Sequence, residues 1–123
     1  MLKWISFVGL VAFSITCQAQ NFTWNLADLA WTFRNSKNNT TYRATIPGTV
    51  HTDLVKNGLI ADPFYGSNEK EVQWVENETW VYETTINLQE KQTNEESLSI
   101  IFEGLDTYAK VYLNNQLIIE ADN

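Results

Sequence analysis

Thiols are nearly absent from this 123-residue chain, which contains one cysteine, Cys17. A single thiol cannot form an intramolecular disulfide, and a zinc site needs about four ligands, usually cysteine and histidine. His51 is the single histidine, and we expect it to be a hydrogen-bonded structural residue. We therefore predict no metal site and no cofactor.

Basic residues and long apolar runs are also scarce. Eight Lys and Arg stand against fifteen Asp and Glu, so the formal net charge is −7. An acidic chain is repelled by a phosphate backbone, so we expect no nucleic-acid partner. The apolar run at residues 4–15 is shorter than the roughly 20 residues that a transmembrane helix needs, so we expect no membrane span.

The first nineteen residues have the parts of a secretory signal peptide. Lys3 supplies the positive start, residues 4–15 the apolar segment, and small residues precede a cleavage point after Ala19. A buried first helix and a lipoprotein signal acylated at Cys17 remain as alternatives. We predict a signal peptide at 1–19 and one partial domain at 20–123. The product would be periplasmic or extracellular in a bacterium, and lysosomal or secreted in a eukaryote.

Two short helices are predicted in the middle of the chain. Thr49 is a good N-cap for a helix whose apolar face carries Val50 and Leu54, and Gly58 suits the left-handed position after its end. A second helix is predicted from Asn68 to Trp74. Asn68 would cap it, with Glu71 completing a capping box.

Elsewhere apolar and polar side chains alternate, as in half-buried strands. Strand pieces around a bend are predicted within Thr23 to Arg34, and further strands at Tyr42 to Ile46, Trp80 to Leu88 and Ser97 to Glu103. Asn114-Asn115 predicts a tight hairpin, because both central residues of such a turn need positive φ. We predict a mostly β jelly-roll sandwich with one or two short helices, incomplete at the C-terminus because the chain stops directly after a strand.

Four segments together resemble one known family. They are IPGTVHTDL at 46–54, GLIADPFYGSNE at 58–69, WVENETWVYE at 74–83, and FEGLDTYA at 102–109 with VYLN at 111–114. In order and spacing they are similar to the sugar-binding domain of glycoside hydrolase family 2 β-mannosidases, over residues 24–123. Asn115 departs from the family's usual glycine, which affects only a turn.

The resemblance implies a galactose-binding-like jelly roll that precedes sandwich domains and a TIM barrel. It implies an exo-acting enzyme that releases terminal β-mannose with retention, using two glutamates on the barrel. Retention requires two carboxylates about 5 Å apart, and the family's pair would lie beyond Asn123. The implied partners are β-mannoside oligosaccharides or glycoprotein-derived glycans, and the domain would pack on its own downstream catalytic barrel.

The loop from Asp62 to Glu69 is the most function-like stretch, since it combines turn residues, an exposed-looking aromatic pair and an amide. Family 2 relatives place an asparagine from a comparable loop near the substrate, which makes Asn68 a candidate for sugar contact, with helix capping as its alternative. Trp74 is a second candidate, because it follows a loop, with packing as its alternative. The acid pairs, among them Glu76 and Glu78, fit solvated or capping carboxylates.

Two functions from different classes fit this sequence. The first is the non-catalytic first domain of a retaining β-mannosidase. The second is a free-standing carbohydrate-binding module, because jelly rolls also serve as lectins and a fold alone does not determine a function. Sequence beyond Asn123 would separate them: several hundred residues with a barrel favour the enzyme, and an early stop favours the module.

Overall fold

The computed structural model describes residues 23–88 and 98–122, which fall into two compact units divided between Thr85 and Ile86. The predicted signal peptide at 1–19 lies outside these residues, as do the acid pair Glu95/Glu96 and the start of the predicted strand at Ser97. In the part of the chain that is described, no helix is both long and apolar enough to cross a bilayer.

The first unit is built on a three-stranded antiparallel sheet in which the first strand is central. The alternation predicted before residue 35 is only partly strand, because its first half forms a 3-10 turn. The strand predicted from Trp80 to Leu88 ends at Glu83. The elements of this unit are a 3-10 turn at Leu26–Asp28, β1 at Thr32–Asn35, β2 at Tyr42–Arg43, α1 at Val50–Lys56, α2 at Asn68–Glu71, a 3-10 turn at Gln73–Asn77 and β3 at Trp80–Glu83.

Phe33 is the centre of the core, with 1% of its surface exposed. Its ring lies 5.9 Å from the Tyr42 ring, 5.9 Å from the Trp80 ring and 5.5 Å from the Tyr82 ring, centroid to centroid. These are ordinary distances for aromatic packing. Trp80 and Tyr82, alternate residues of β3, both pack on this core. Its other buried members are Ala44, Leu54, Val72 and Val75.

α1 begins and ends where the sequence predicts. Thr49 caps it, since its hydroxyl accepts from the Thr52 amide while the Thr52 hydroxyl accepts from the Thr49 amide. Gly58 follows the last turn at φ +69°, a conformation that suits glycine. The Gly58 amide donates to Val55 O and the Leu59 amide to Leu54 O. This pair of bonds is a Schellman motif, which satisfies carbonyls left open at the helix end.

A fully buried carboxyl group ties α1 to the sheet. Asp53 has no exposed surface; its Oδ1 accepts from the Thr45 amide at 3.0 Å and its Oδ2 from the Tyr82 hydroxyl at 3.1 Å. Burial, reinforced by Asp53, raises the pKa of the Tyr82 hydroxyl well above its usual range. The hydroxyl therefore stays protonated and remains a donor to Asp53.

We expect Asp53→Ala to destabilise this unit by about 3 kcal/mol, because it removes a fully buried carboxylate and leaves two part-buried donors without acceptors. Tyr82→Phe removes one of the two bonds and should cost about 1 to 2 kcal/mol. Thermal unfolding of both variants in the longer protein that the sequence predicts would measure this. Equal melting temperatures for wild type and Asp53→Ala would contradict the proposed tie.

The second unit contains the predicted hairpin, with β4 at Tyr108–Leu113 and β5 at Gln116–Asp122 paired antiparallel. Asn114 and Asn115 both have positive φ, at 48° and 66°, so the predicted tight turn is confirmed. The strand predicted from Ser97 to Glu103 is wrong for its described part, since residues 98–103 have no strand structure. A strand needs a neighbour to satisfy its amides and carbonyls, and no strand of the described residues pairs with this segment.

Large apolar side chains are exposed across the second unit. Ile101 has 83% of its surface exposed, and half-exposed residues occur on both strands of the hairpin. The described residues contain a three-stranded sheet in the first unit and a two-stranded sheet in the second. Further exposed members of this group are Leu98, Phe102, Tyr112, Leu113, Leu117 and Ile118.

Candidate functional site

The segment from Asp62 to Asn68 is a tight turn that presents two aromatic rings to solvent. The Asp62 side chain accepts from the Phe64 amide at 2.9 Å, and the Asp62 carbonyl accepts from the Tyr65 amide at 3.2 Å. Gly66 adopts φ +65°, a conformation that favours glycine. Phe64 is 98% exposed and Tyr65 79% exposed, so the exposed aromatic pair predicted here is confirmed.

Asn68 closes this turn instead of capping a helix. Its Nδ2 donates to the Asp62 carbonyl at 2.9 Å. The N-cap of α2 is Ser67, one residue earlier, and no side chain caps the helix. The predicted capping box at Asn68 and Glu71 is therefore wrong, because the amide is already bound to the loop. Asn68 is half-buried, and its predicted sugar contact stays a prediction.

Trp74 lies in the 3-10 turn that follows α2, and 46% of its surface is exposed. Its ring centroid lies 6.1 Å from that of Trp80, which packs on the core. The Trp80 ring is tilted by 46° against it. The structure records no hydrogen bond or ring contact between Trp74 and Asn68, and the predicted sugar contact of Trp74 stays a prediction.

A groove of about 820 Å³ lies between the start of α1 and the segment from Pro63 to Asn77. Ligand sites in proteins commonly have volumes of roughly 300 to 1,000 Å³. Neither Asn68 nor Trp74 lines this groove. The polar residues of its lining come from both walls: Thr49, His51, Thr52, Glu69, Gln73, Glu76 and Asn77.

The apolar part of the groove comes from Pro63, Phe64 and Val72. Val72 is buried and belongs to the core, whereas Phe64 is almost fully exposed. Val72 connects the groove to the hydrophobic core, and the hydrogen bonds of the turn from Asp62 to Asn68 fix the backbone of Phe64. The groove thus combines an aromatic edge with hydrogen-bonding side chains.

His51 does not have the hydrogen bond that the sequence led us to expect. It is half-buried at the first turn of α1 and lines the groove. Within the described residues no partner for its imidazole is present. No group of three or more His, Cys, Asp or Glu that could hold a metal ion occurs in residues 23–88 or 98–122.

Glu78 is a structural carboxylate and lies outside the groove. It accepts from Lys37 Nζ at 2.7 Å and from Asn35 Nδ2 at 3.1 Å. The bond from Lys37, and then the bond from Asn35, lower the pKa of the Glu78 carboxyl. The catalytic acid of a glycosidase needs a raised pKa, so the lowered pKa of Glu78 does not suit that role.

Sequence reasoning missed the groove. Glu69, Gln73 and Glu76 are spaced at i, i+4 and i+7, which places them on one face of a helical segment. That spacing was a usable signal. The position of the opposite wall, with His51, depends on how α1 packs in the tertiary structure, so no local sequence pattern predicts it.

Comparison with known proteins gives consistent matches. A family model described as the glycosyl hydrolase 2 galactose-binding domain-like domain matches residues 31–123. The protein named Beta-mannosidase B from Emericella nidulans is 38% identical over 108 residues, covering 83% of this chain and 12% of that protein. Beta-mannosidase from Rattus norvegicus is 32% identical over 107 residues, covering 87% of this chain and 12% of that protein.

A solved structure matches as well. The crystal structure of a β-D-mannosidase from Dictyoglomus thermophilum is 44% identical to this chain, with a TM-score of 0.72. The match covers 75% of this chain and 11% of that one. The chain spans about 12% of the length of the curated relatives it matches.

Proposed function

Because the chain belongs to the galactose-binding domain-like family of glycosyl hydrolase 2, we propose that it is the non-catalytic first domain of an exo-acting, retaining β-mannosidase. The mannosidase names of its curated and structural relatives support this substrate. The predicted fold class is confirmed in its coarse form, as a mostly β galactose-binding-like domain with two short helices.

The proposed reaction places the catalytic groups outside this chain. A retaining glycosidase holds one carboxyl as acid and base and a second as nucleophile, about 5 Å apart across the glycosidic bond. The bonds from Lys37 and Asn35 lower the pKa of the Glu78 carboxyl, which does not suit a catalytic acid. On the family resemblance we assign both catalytic carboxylates to the barrel that it implies, and we propose that this domain packs against it.

The protein is proposed to be exported by the signal peptide at residues 1–19 and to act on β-mannoside oligosaccharides or glycoprotein-derived glycans. The full-length protein should hydrolyse a chromogenic β-mannoside, and β-mannose should be the first anomer that NMR detects. Release of α-mannose first would contradict retention.

A second candidate, a free-standing carbohydrate-binding module, is favoured by the open groove with Phe64 at its edge. Binding of a manno-oligosaccharide by a full-length protein that hydrolyses no glycoside would support this alternative.

We further propose that Asn68 contributes to substrate binding. Its Nδ2 holds the turn through Asp62, which leaves its amide oxygen to accept a bond from a sugar hydroxyl. Asn68→Ala in the full-length protein should lower kcat/KM for a β-mannoside about tenfold, in addition to the loss of about 1 kcal/mol of stability from the missing bond to Asp62.

Asn68→Asp is the matched control, because it keeps an oxygen acceptor and removes the donor to Asp62. If the amide only closes the turn, both variants should lose about 1 kcal/mol of stability and keep wild-type kinetics. That outcome would remove Asn68 from the substrate site.

A further inference from the structure

The groove between α1 and the segment from Pro63 to Asn77 has several polar side chains without protein partners. Among the described residues, no hydrogen bond engages the carboxylates of Glu69 and Glu76, the side-chain amide of Gln73 or the imidazole of His51. Glu69, Gln73 and Glu76 are exposed and His51 is half-buried, so their polar groups are accessible to a ligand. Together they offer carboxylate, amide and imidazole groups along one concavity.

The charge of the groove restricts the class of ligand. Two of its lining side chains, Glu69 and Glu76, are acidic, and none is Lys or Arg. Carboxylates accept strongly from hydroxyl groups and repel a second carboxylate or a phosphate. The groove therefore suits a neutral molecule rich in hydroxyl donors and disfavours one that carries a uronic acid or a phosphate.

Phe64 supplies the apolar contact. Its ring is 98% exposed at the groove edge, while two hydrogen bonds to Asp62 hold the backbone of the turn. An aromatic ring on a pre-organised backbone costs little conformational entropy when it binds, which makes it a good anchor. The neighbouring Tyr65 is also exposed but does not line the groove.

We propose that this groove is a binding site for a neutral oligosaccharide, in which Phe64 packs on the C–H face of a sugar and Glu69 and Glu76 accept from its hydroxyls. Neither Asn68 nor Trp74 is part of this site. The choice of a manno-oligosaccharide as ligand rests on the proposed function; the site itself rests on the groove.

The test uses the full-length protein and a sulfur-linked β-manno-oligosaccharide, a probe whose linkage resists cleavage by glycosidases. Hydrogen–deuterium exchange followed by mass spectrometry should show that the probe slows exchange within residues 62–77. Phe64→Ala should raise the probe concentration needed for half-maximal protection roughly tenfold. Tyr65→Ala, which removes an exposed ring outside the groove, should leave that concentration unchanged.

The carboxylates have a matched control as well. Glu69→Gln and Glu76→Gln should each weaken probe binding severalfold, and Glu71→Gln, an exposed acid that does not line the groove, should not. A similar oligosaccharide that carries a uronic acid should give no protection of residues 62–77 with the wild-type protein.

Two results would overturn this site. One is that residues 62–77 exchange equally with and without probe, because another part of the protein covers the groove or because the sugar binds elsewhere. The other is that Phe64→Ala and Tyr65→Ala behave alike. If the protein hydrolyses β-mannosides, either result rejects the binding site in the groove and leaves the proposed enzymatic function intact. If the probe protects residues 62–77 but the protein hydrolyses no β-mannoside, the enzymatic function is rejected and the binding site is retained.

Discussion

Expressed alone from residue 20 to residue 123, the chain is expected to hydrolyse no β-mannoside. A retaining mechanism needs a protonated carboxyl group and a nucleophilic carboxylate held across one bond. Of the carboxylates in the described residues, Asp53 accepts from Thr45 and Tyr82, and Glu78 accepts from Lys37 and Asn35. Removing one member of a protease's catalytic triad costs orders of magnitude in rate, and here both catalytic carboxylates are expected outside the chain.

The same isolated chain is expected to aggregate. Its described core has five buried apolar residues, all in the first unit. The second unit exposes large apolar side chains, among them Phe102 and Leu117. Exposed apolar surface and an unpaired strand edge both promote association.

Size-exclusion chromatography, circular dichroism and a β-mannosidase assay on residues 20–123 measure both expectations, with the full-length protein as control. A monodisperse monomer with a sharp cooperative melt would contradict the folding expectation and favour the free-standing module. Clear turnover would contradict the assignment of the catalytic carboxylates to another part of the protein.

Local signals were sufficient for the elements whose stabilising contacts are local. α1 follows from Thr49 and Gly58 because a cap and a C-terminal glycine act within one turn. The hairpin follows from Asn114 and Asn115 for the same reason. In each case the residue type and the backbone conformation that it favours belong to the same few positions.

Non-local contacts account for the errors. Residues 98–103 have strand composition but pair with no strand of the described chain, and β propensity alone does not create a ladder. Asn68 was predicted to cap a helix, but its side-chain amide donates a hydrogen bond to the carbonyl of Asp62, six residues earlier. The His51 wall of the groove depends on how α1 packs, so the sequence pattern did not reveal it.

A second large effect is expected in the substrate preference of the full-length protein. β-Mannosides and β-galactosides differ in the orientation of their hydroxyls at C2 and C4. A site that hydrogen-bonds one arrangement leaves buried polar groups unpaired with the other, which lowers kcat/KM by about 10⁴-fold in well-matched sites. A β-glucuronide adds a charged carboxylate, whose burial without a cationic partner is costly.

The family relationship by itself leaves the sugar open, because related active sites on one fold can accept different substrates. The mannosidase names of the curated and structural relatives supply that part of the proposal. We therefore expect kcat/KM for the β-mannoside to exceed that for either competitor by at least about 100-fold.

The most direct test of the central claim is the ratio of kcat/KM values of the full-length protein for nitrophenyl β-mannoside, β-galactoside and β-glucuronide, measured side by side in one buffer. The account predicts rapid hydrolysis of the β-mannoside and rates at least about 100-fold lower for the other two. Equal or faster hydrolysis of the β-galactoside or the β-glucuronide would contradict it.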